Sequence, residues 1–326
     1  MGIRSLAAAA ASISAAFGLW FMTSGWVFYA DDRQPSHSSL VGTLETDLPE
    51  GRGAGTAVLV DECGILTNFH VVFGPWYVTA LRPPSREFRA TFTLTEVMRP
   101  DGSHPVAQAA PVVWGDYLGP DRQFRRPDQD WTYLVLDRCL GSEHGHFNLR
   151  SLDDFDLELS GEGFAAIGYS AGRQMMDPVC SAHAGRSAMV PGIWLHDCAL
   201  MGGDSGGPIV KRGTTTLVAL GSGFRAASAH EDCHRAGPDS RPDYGCANFA
   251  VPLSRQVLDR VEAARIATSV QRALNRLGYD AGPLGAIDDP RLARAIADYQ
   301  RGIGVSVTGE PSDLLATMLC IQLTYR

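Results

Sequence analysis

The sequence predicts a mainly β fold of two antiparallel six-stranded barrels, followed by a small three-helix domain. From about residue 36 to 260, short runs rich in Val, Thr and aromatic residues alternate with Gly, Pro, Asp or Asn. No helical period separates these runs, which favours antiparallel barrels. Helical periodicity begins only after Pro252. The 326 residues are enough for one large domain and one small domain.

The predicted strands share this composition and these boundaries. They are Thr56–Val60, Ile65–Thr67, Trp76–Leu81, Phe88–Val97, Thr132–Leu136, Phe164–Tyr169, Gly192–Leu195, Pro208–Val210 and Thr215–Gly221.

The overall charge excludes a general attraction to nucleic acid or anionic lipid. Hydrophobic residues make up 45% of the chain and charged residues 20%, which is typical of a folded globular protein. The net charge is −8. We therefore expect no nucleic-acid partner.

Residues 1–34 have the pattern of an export signal or an N-terminal membrane anchor. Arg4 precedes a long apolar run, Leu6 to Ala30, which Asp31 ends abruptly. Ala30 suits the position before a cleavage site, whereas Phe28 is bulky where a small residue is preferred. The run also exceeds the ~20 residues that a helix needs to span a bilayer. Both alternatives stay open, and either predicts a periplasmic, cell-envelope or extracellular location.

Seven cysteines agree with an exported protein, because oxidising compartments favour disulfides. No CxxC pair is present, which argues against a zinc ribbon. His230, Cys233, His234 and Cys246 offer a metal cluster as one alternative. A Cys233–Cys246 disulfide that closes a polar loop is the interpretation we favour, and we expect no metal.

The C-terminal part of the chain predicts four helices. The first follows Pro252, with Leu253, Val257 and Val261 at helical spacing. Residues 266–277, residues 291–300 and a helix capped by Ser312 then form a unit over 264–326. Hardly any linker precedes this unit, so we expect it to contact the preceding domain.

The string Gly203-Asp204-Ser205-Gly206-Gly207-Pro208 predicts a nucleophilic serine. A serine becomes nucleophilic when it is exposed, lies beside a base and faces donors that stabilise an oxyanion. Gly203 allows the backbone to turn so that the Gly203 and Ser205 N–H groups converge. The glycines after Ser205 leave room for a substrate chain.

Two further strings supply a base and a carboxylate. Leu66-Thr67-Asn68-Phe69-His70-Val71-Val72 places His70 at the end of an apolar strand. Asp130 stands at the start of another, Thr132–Leu136, where a buried carboxylate could hold the imidazole in one tautomer. The order His70, Asp130, Ser205 favours a catalytic triad over ordinary turn and core residues.

These three motifs, in this order, resemble the trypsin-like (chymotrypsin-fold) serine peptidases, especially bacterial secreted members. Gly53-Ala54-Gly55-Thr56-Ala57 is similar to the family's strand before the histidine. The resemblance covers residues 35–263 and implies two perpendicular β-barrels with His70, Asp130 and Ser205 in the cleft between them. It also implies hydrolysis of peptide bonds in protein or peptide substrates through an acyl-enzyme, with no cofactor.

The cysteines depart from the family, because its disulfide next to the catalytic histidine is missing here. Cys63 and Cys139 would lie on neighbouring strands of the first barrel, and Cys180 and Cys198 bracket the segment before the nucleophile, so we predict these two pairs. Cys320 is then the odd cysteine.

The resemblance places Ala199 at the floor of the primary specificity pocket, with Ser222, Gly223 and Phe224 on its wall. Because Ala199 is not acidic, we expect an apolar or small side chain there rather than Arg or Lys. His183 and His196 lie near this region and leave an acidic side chain as an alternative.

The C-terminal unit resembles the bacterial peptidoglycan-binding domain of three helices. The similarity lies in residues 270–282, Ala295-Ile296-Ala297-Asp298-Tyr299-Gln300 and Val307-Thr308-Gly309. It implies peptidoglycan as a second partner. Leu284-Gly285-Ala286-Ile287 departs from the family's acidic, glycine-rich turn, which leaves a docking or regulatory role as the alternative.

Two other functions compete with an endopeptidase of the cell envelope. One is a catalytically silent peptidase-like binding protein, against which the intact triad argues. The other is a wall-lytic enzyme that cuts stem peptides, which the resemblance disfavours because this family's cleft accepts extended protein chains.

Overall fold

The structure is a computed structural model that describes residues 37–48, 51–74, 89–117, 126–151, 163–170, 173–180, 182–183, 192–196, 198, 202–223 and 248–325. Within those residues, no helix is both long and apolar enough to cross a membrane. The predicted export segment, the predicted strand Trp76–Leu81 and the predicted Cys233–Cys246 disulfide lie outside them.

Six strands close the first barrel. They are β1 (Val41–Leu48), β2 (Gly51–Asp61), β3 (Gly64–Thr67), β4 (Arg89–Thr93), β5 (Val106–Trp114) and β6 (Thr132–Leu136). Their order around the barrel is β1-β2-β3-β6-β5-β4, and each neighbouring pair is antiparallel. The predicted six-stranded barrel is therefore confirmed.

Strand β6 is buried on both of its faces, and the four residues that follow Thr132 are aliphatic or aromatic. Leu134 and Leu136 pack inside the barrel with Phe92. Tyr133 and Val135 point the other way, into a core shared with the second sheet and the C-terminal helix. A strand with two buried faces reads as a continuous apolar run, as this one does.

The second sheet contains eight described strands. They are β7 (Asn148–Leu149), β8 (Phe164–Ser170), β9 (Arg173–Cys180), β10 (Ala182–His183), β11 (Trp194–His196), β12 (Pro208–Lys211), β13 (Thr216–Gly223) and β14 (Asn248–Pro252). The order is β10-β11-β14-β13-β12-β8-β9, and β7 pairs with β13. The predicted second β unit is present. The sequence predicted a six-stranded barrel here, whereas the described strands form an eight-stranded sheet, in which β7 and β10 have two residues each.

Beside the 3₁₀ helices His37–Leu40 and Pro127–Gln129, five α-helices complete the described fold. Two of them are short: α1 (Phe69–Phe73) follows β3, and α2 (Leu140–His144) follows β6. The others are α3 (Arg255–Arg276), α4 (Pro290–Gly302) and α5 (Asp313–Thr324). Ser312 caps α5 as predicted, because its side chain accepts a hydrogen bond from the Leu315 N–H.

Helix α3 corrects one prediction. The sequence predicted two helices that meet near residue 264, but a single helix of 22 residues runs through this point. Residues 262–267 contain neither Gly nor Pro, so nothing interrupts the helix. Val257 and Val261 belong to the core shared by the β units, and Val270 and Leu274 to the core of the helical unit. The predicted boundary between residues 263 and 264 falls inside this helix.

The helical unit contacts the first barrel, as expected. Arg272 on α3 donates hydrogen bonds to the carbonyl groups of Leu136 and Asp137 at the end of β6. Leu284 and Ile287, in the turn before α4, pack against the shared core. The two units are therefore joined by a helix and by a side-by-side contact.

The cysteines agree with the predicted pairing as far as they are described. Cys63 and Cys139 form a disulfide, which confirms that pair. Cys198 is also disulfide-bonded. The side chain of its predicted partner, Cys180, lies outside the described set. Cys320 is free and exposed.

Candidate active site

Asp130 and His70 form a hydrogen-bonded pair at one end of the first barrel. Asp130 precedes β6 and is 1% exposed. Its Oδ2 lies 2.7 Å from His70 Nδ1, and its Oδ1 accepts the His70 main-chain N–H at 3.0 Å. Since a carboxylate only accepts, Nδ1 carries the proton and Nε2 is left as the basic nitrogen.

Asn68 supports the Asp130–His70 pair through a hydrogen bond to the main chain of Asp130. It precedes α1, the short helix that carries His70, at the N-cap position but without a capping hydrogen bond, and it is fully buried. Its Nδ2 donates to the Asp130 carbonyl oxygen at 2.7 Å. The end of β3 and the start of β6 are thereby locked together, because this bond adds to the ladder between the two strands.

Ser222 links the carboxylate to the candidate nucleophile. Its hydroxyl donates to Asp130 Oδ2 at 2.6 Å, so the carboxylate accepts three hydrogen bonds in all. The carbonyl oxygen of the same residue accepts the Ser205 hydroxyl at 3.2 Å. The sequence placed Ser222 only on the wall of the specificity pocket. No local motif indicated its contact with Asp130.

Ser205 lies on a tight turn between the two β units. The Gly207 N–H donates to the Asp204 carbonyl at 2.8 Å, and the Gly206 N–H donates to the Gly221 carbonyl on β13 at 2.8 Å. Gly203 and Gly206 have φ values of 103° and 86°, which favour glycine. A Cβ at Gly206 would collide with the Thr56 carbonyl oxygen and with the Thr67 hydroxyl.

The two amides predicted to bind an oxyanion are available in this turn. Within the described part of the chain, neither the Gly203 N–H nor the Ser205 N–H donates a hydrogen bond. The Ser205 hydroxyl is directed to Ser222, and among the described contacts it makes no hydrogen bond with His70. Catalytic hydrogen bonds of this kind are often long before substrate binds.

The residues predicted to form the specificity pocket are only partly described. Gly223 ends β13 and pairs with Phe249 on β14. Ala199 and Phe224 lie outside the described residues, as does the side chain of His183. His196 is fully buried on β11, where its Nδ1 accepts the Cys198 N–H at 3.1 Å.

Burial affects one tyrosine beside this centre. Tyr169 on β8 is 3% exposed, and burial raises its pKa to about 12. Its hydroxyl therefore stays neutral and donates to the Val41 carbonyl at 3.2 Å. This bond joins the second sheet to the first strand of the barrel.

A separate cavity of about 990 Å³ lies where the helical unit meets the first barrel. Asp61, Glu62 and Arg272 line it, together with Cys320 and the Cys63–Cys139 disulfide. Burial raises the pKa of the Asp61 carboxyl, which accepts the Tyr133 hydroxyl at 2.8 Å. None of His70, Asp130 and Ser205 lines this cavity, so it is not the reaction centre. The described residues hold no group of three His, Cys, Asp or Glu side chains that could bind a metal.

Comparison with known proteins finds a family similar to the C-terminal unit. Residues 267–319 match the family model of a putative peptidoglycan binding domain. This confirms the predicted resemblance for the peptidoglycan-binding-like unit. No curated protein matches the chain.

Several solved structures are similar to the chain, and the three named here are proteases. A thermostable serine protease, AL20, from an extremophilic microorganism has 15% identity and a TM-score of 0.45, over 70% of this chain and 98% of that one. A Glu endopeptidase has 14% identity and a TM-score of 0.47, over 71% and 92%. Protease Anisep from Arthrobacter nicotinovorans has 11% identity and a TM-score of 0.45, over 69% and 95%. At these identities and TM-scores the similar structures carry no argument about the chemistry of this chain, which has to be argued from its own geometry.

Proposed function

We propose that this protein is an exported serine endopeptidase whose nucleophile is Ser205. His70 Nε2 takes the proton from the Ser205 hydroxyl as its oxygen attacks a peptide carbonyl carbon. The tetrahedral intermediate carries a negative oxygen, which the Gly203 and Ser205 N–H groups stabilise. The protonated His70 then gives its proton to the leaving amine, and an acyl-enzyme forms at Ser205.

The second half of the reaction regenerates the enzyme. A water molecule gives a proton to His70 and attacks the acyl carbon. Collapse of the second tetrahedral intermediate releases the carboxylate product and returns the proton to Ser205. Throughout, Asp130 holds the imidazole in one tautomer and stabilises its positive charge.

The observation that carries this proposal is the chain of contacts from Asp130 to His70 and, through Ser222, to Ser205. Three hydrogen bonds offset the cost of burying the Asp130 carboxylate, and they leave it ordered against the imidazole whose positive charge it would stabilise during reaction. The rival, a catalytically silent binding protein, has no need of an ordered imidazole. We therefore favour the enzyme.

Labelling with a fluorophosphonate probe tests the nucleophile. The mature protein is expected to be labelled, and Ser205→Ala is expected to lose labelling completely. Ser103→Ala is a matched control, because Ser103 lies on an exposed turn. Labelling that is absent from the wild type, or that survives in Ser205→Ala, would refute the assignment.

The helical unit supports peptidoglycan as a partner and a location at the cell wall. We propose that it holds the enzyme there, with residues 1–34 providing export or an anchor. Full-length Ser205→Ala is suited to sedimentation with purified peptidoglycan, since it cannot digest itself. We expect it to sediment with peptidoglycan and to be released by soluble wall fragments that carry stem peptides. Chitin, a glycan without peptides, is the matched polymer, and equal sedimentation with chitin would contradict recognition of the wall glycopeptide.

A further inference from the structure

Thr56 on β2 contacts the nucleophile turn through both its side chain and its main chain. Its Oγ1 donates to the Gly203 carbonyl at 2.9 Å. Its main-chain N–H donates to the Ser205 carbonyl at 2.9 Å. The first barrel therefore holds the turn of the second β unit on both sides of the Asp204–Ser205 peptide.

The direction of the hydroxyl hydrogen bond is fixed by its two partners. The Tyr169 N–H on β8 donates to Thr56 Oγ1 at 2.9 Å. An amide N–H can only donate and a carbonyl can only accept, so the single hydroxyl proton must point at Gly203. Thr56 is fully buried, which leaves no room for solvent to take over either bond.

Successive carbonyl groups of the turn are thereby fixed in direction. The Gly203 and Ser205 carbonyls accept from Thr56, and the Asp204 carbonyl between them accepts the Gly207 N–H at 2.8 Å. In a planar trans peptide the N–H points opposite to the carbonyl of the preceding residue. Fixing the Asp204 carbonyl and both neighbouring peptides therefore fixes the direction of the Ser205 N–H.

Gly203 gains most from this restraint. Its φ of 103° lies in a region that glycine enters freely, so its peptides have more rotational freedom than those of other residues. The bond from Thr56 holds the Gly203–Asp204 peptide, which follows directly on the residue whose own N–H is the second oxyanion donor. Donors that are already aimed at the oxyanion need no reorganisation during reaction.

We propose that Thr56 is a positioning residue for the oxyanion hole, and that its hydroxyl, by holding the Gly203–Asp204 peptide that lies between the two donors, sets the alignment of the Ser205 N–H relative to the Gly203 N–H. The proposal rests on the peptidase function proposed above. Thr56 touches neither substrate nor proton, and acts only through the turn that it holds.

Three substitutions separate the hydroxyl from the rest of the side chain. Thr56→Val keeps the volume and the branched shape but removes the hydroxyl, and Thr56→Ala removes hydroxyl and methyl together. Thr56→Ser keeps the hydroxyl. We expect kcat to fall about 10- to 100-fold in the Val and Ala variants, since misalignment of about 1 Å at an active site costs about that factor. Thr56→Ser is expected to stay within about threefold of wild type, a difference too small to register as lost alignment.

A second measurement distinguishes alignment from general damage. A peptide aldehyde forms a tetrahedral adduct with Ser205, so its inhibition constant should rise by the same factor by which kcat/KM falls. KM and the affinity of a peptide product, which carries no such adduct, should change little. Thr268→Val is the control, because it removes another buried hydroxyl, bonded to the Ala264 carbonyl on α3. It should leave kcat unchanged.

The outcomes are distinct. If Thr56→Val is folded and keeps wild-type kcat and aldehyde affinity, Thr56 has no positioning role. If Thr56→Val does not fold, Thr56→Ala takes its place: wild-type kcat and aldehyde affinity in Thr56→Ala would likewise show that Thr56 has no positioning role. Equal loss of kcat in the Ser and Ala variants would also overturn the proposal. Absence of Ser205-dependent labelling in the wild type would instead remove the peptidase function, and this proposal with it.

Discussion

Replacement of Gln271 tests how the helical unit is held together and docked. Gln271 lies on α3 and is fully buried. Its Nε2 is 3.0 Å from the Ala281 carbonyl, 2.9 Å from the Pro283 carbonyl and 3.3 Å from the Ala286 carbonyl. Its Oε1 accepts the Gly285 N–H at 2.9 Å. One side chain thus ties down the turn that faces the first barrel.

The loss of stability expected in Gln271→Leu follows from these contacts. An amide NH₂ has two protons, so two of the three carbonyl contacts are full hydrogen bonds and the longest one is shared. With the Gly285 bond, three hydrogen bonds are lost in Gln271→Leu, at about 1 kcal/mol each. The expected loss in the free energy of unfolding is therefore about 3 kcal/mol, and more if the Gly285 N–H stays buried without a partner.

Two spectroscopic probes report on different parts of the chain. Trp131 and Trp194 are buried in the β units and the helical unit contains no tryptophan, so the change in fluorescence on unfolding follows the β units. Far-UV circular dichroism follows the helices. In urea, both transitions of Gln271→Leu should shift together to lower concentration if the docked units unfold as one.

A matched control lies in the same unit. Gln300 is 6% exposed, and its side chain forms hydrogen bonds with Thr308 and Gly309 in a loop of the helical unit. In the described structure, none of these hydrogen bonds involves the barrel. Gln300→Leu should destabilise the helices by a similar amount. A change below about 1 kcal/mol in Gln271→Leu, less than a single typical hydrogen bond of this kind, would refute the reasoning.

Three further substitutions have definite expected results. Ser222→Ala removes one of three hydrogen bonds to the Asp130 carboxylate while keeping the main-chain carbonyl, and kcat/KM should fall about 10-fold, since a bond to a charged group contributes about 1.5–3 kcal/mol. An unchanged kcat/KM would mean that this bond does not support the imidazole. Gly206→Ala forces a side chain onto a φ of 86° and against β2, and should lower the free energy of unfolding by about 2 kcal/mol in urea titrations and abolish probe labelling. Full labelling would contradict the tightness of this turn. The hydrogen bonds from Arg291 lower the pKa of Asp289 from 3.8 to about 2, so this carboxylate stabilises the fold above about pH 4 and loses that effect as the pH falls toward 2. The melting temperature of Asp289→Asn should lie below that of wild type at neutral pH and converge with it near pH 2. Asp289 is the N-cap residue of α4, a position that Asn fills about as well, so a gap that persists at pH 2 would contradict a stabilisation that comes from the charge.

The sequence predicted the parts of the fold that depend on local patterns. Strands β3 and β6 were readable because burial on both faces makes them apolar throughout. Strand β5 was missed because Ala107, Ala109, Ala110 and Pro111 have weak β propensity. Pro111 is tolerated there because the register with β6 shifts beside it. Pairing with β4 and β6, which no local pattern encodes, makes β5 a strand.

In the candidate site, too, some residues could be predicted from local motifs and others only from the folded structure. Ser205, His70 and Asp130 lie in short motifs whose composition indicates their roles. Ser222 and Thr56 act on partners 92 and 147 residues away, so only the folded chain brings out their roles. The prediction of two helices that meet near residue 264 is wrong for another reason. A pattern of two apolar faces predicts two helices, whereas one straight helix can bury each half against a different core.

A protease on a flexible tether searches a volume whose radius grows with linker length. Helix α3 leaves no such freedom, because its 22 residues form a continuous rod of about 33 Å at 1.5 Å per residue. If the peptidoglycan-binding-like unit binds the cell wall, the candidate active site lies at a fixed distance and orientation from the wall. Such an enzyme would select its substrates by where they stand on the wall as well as by their sequence.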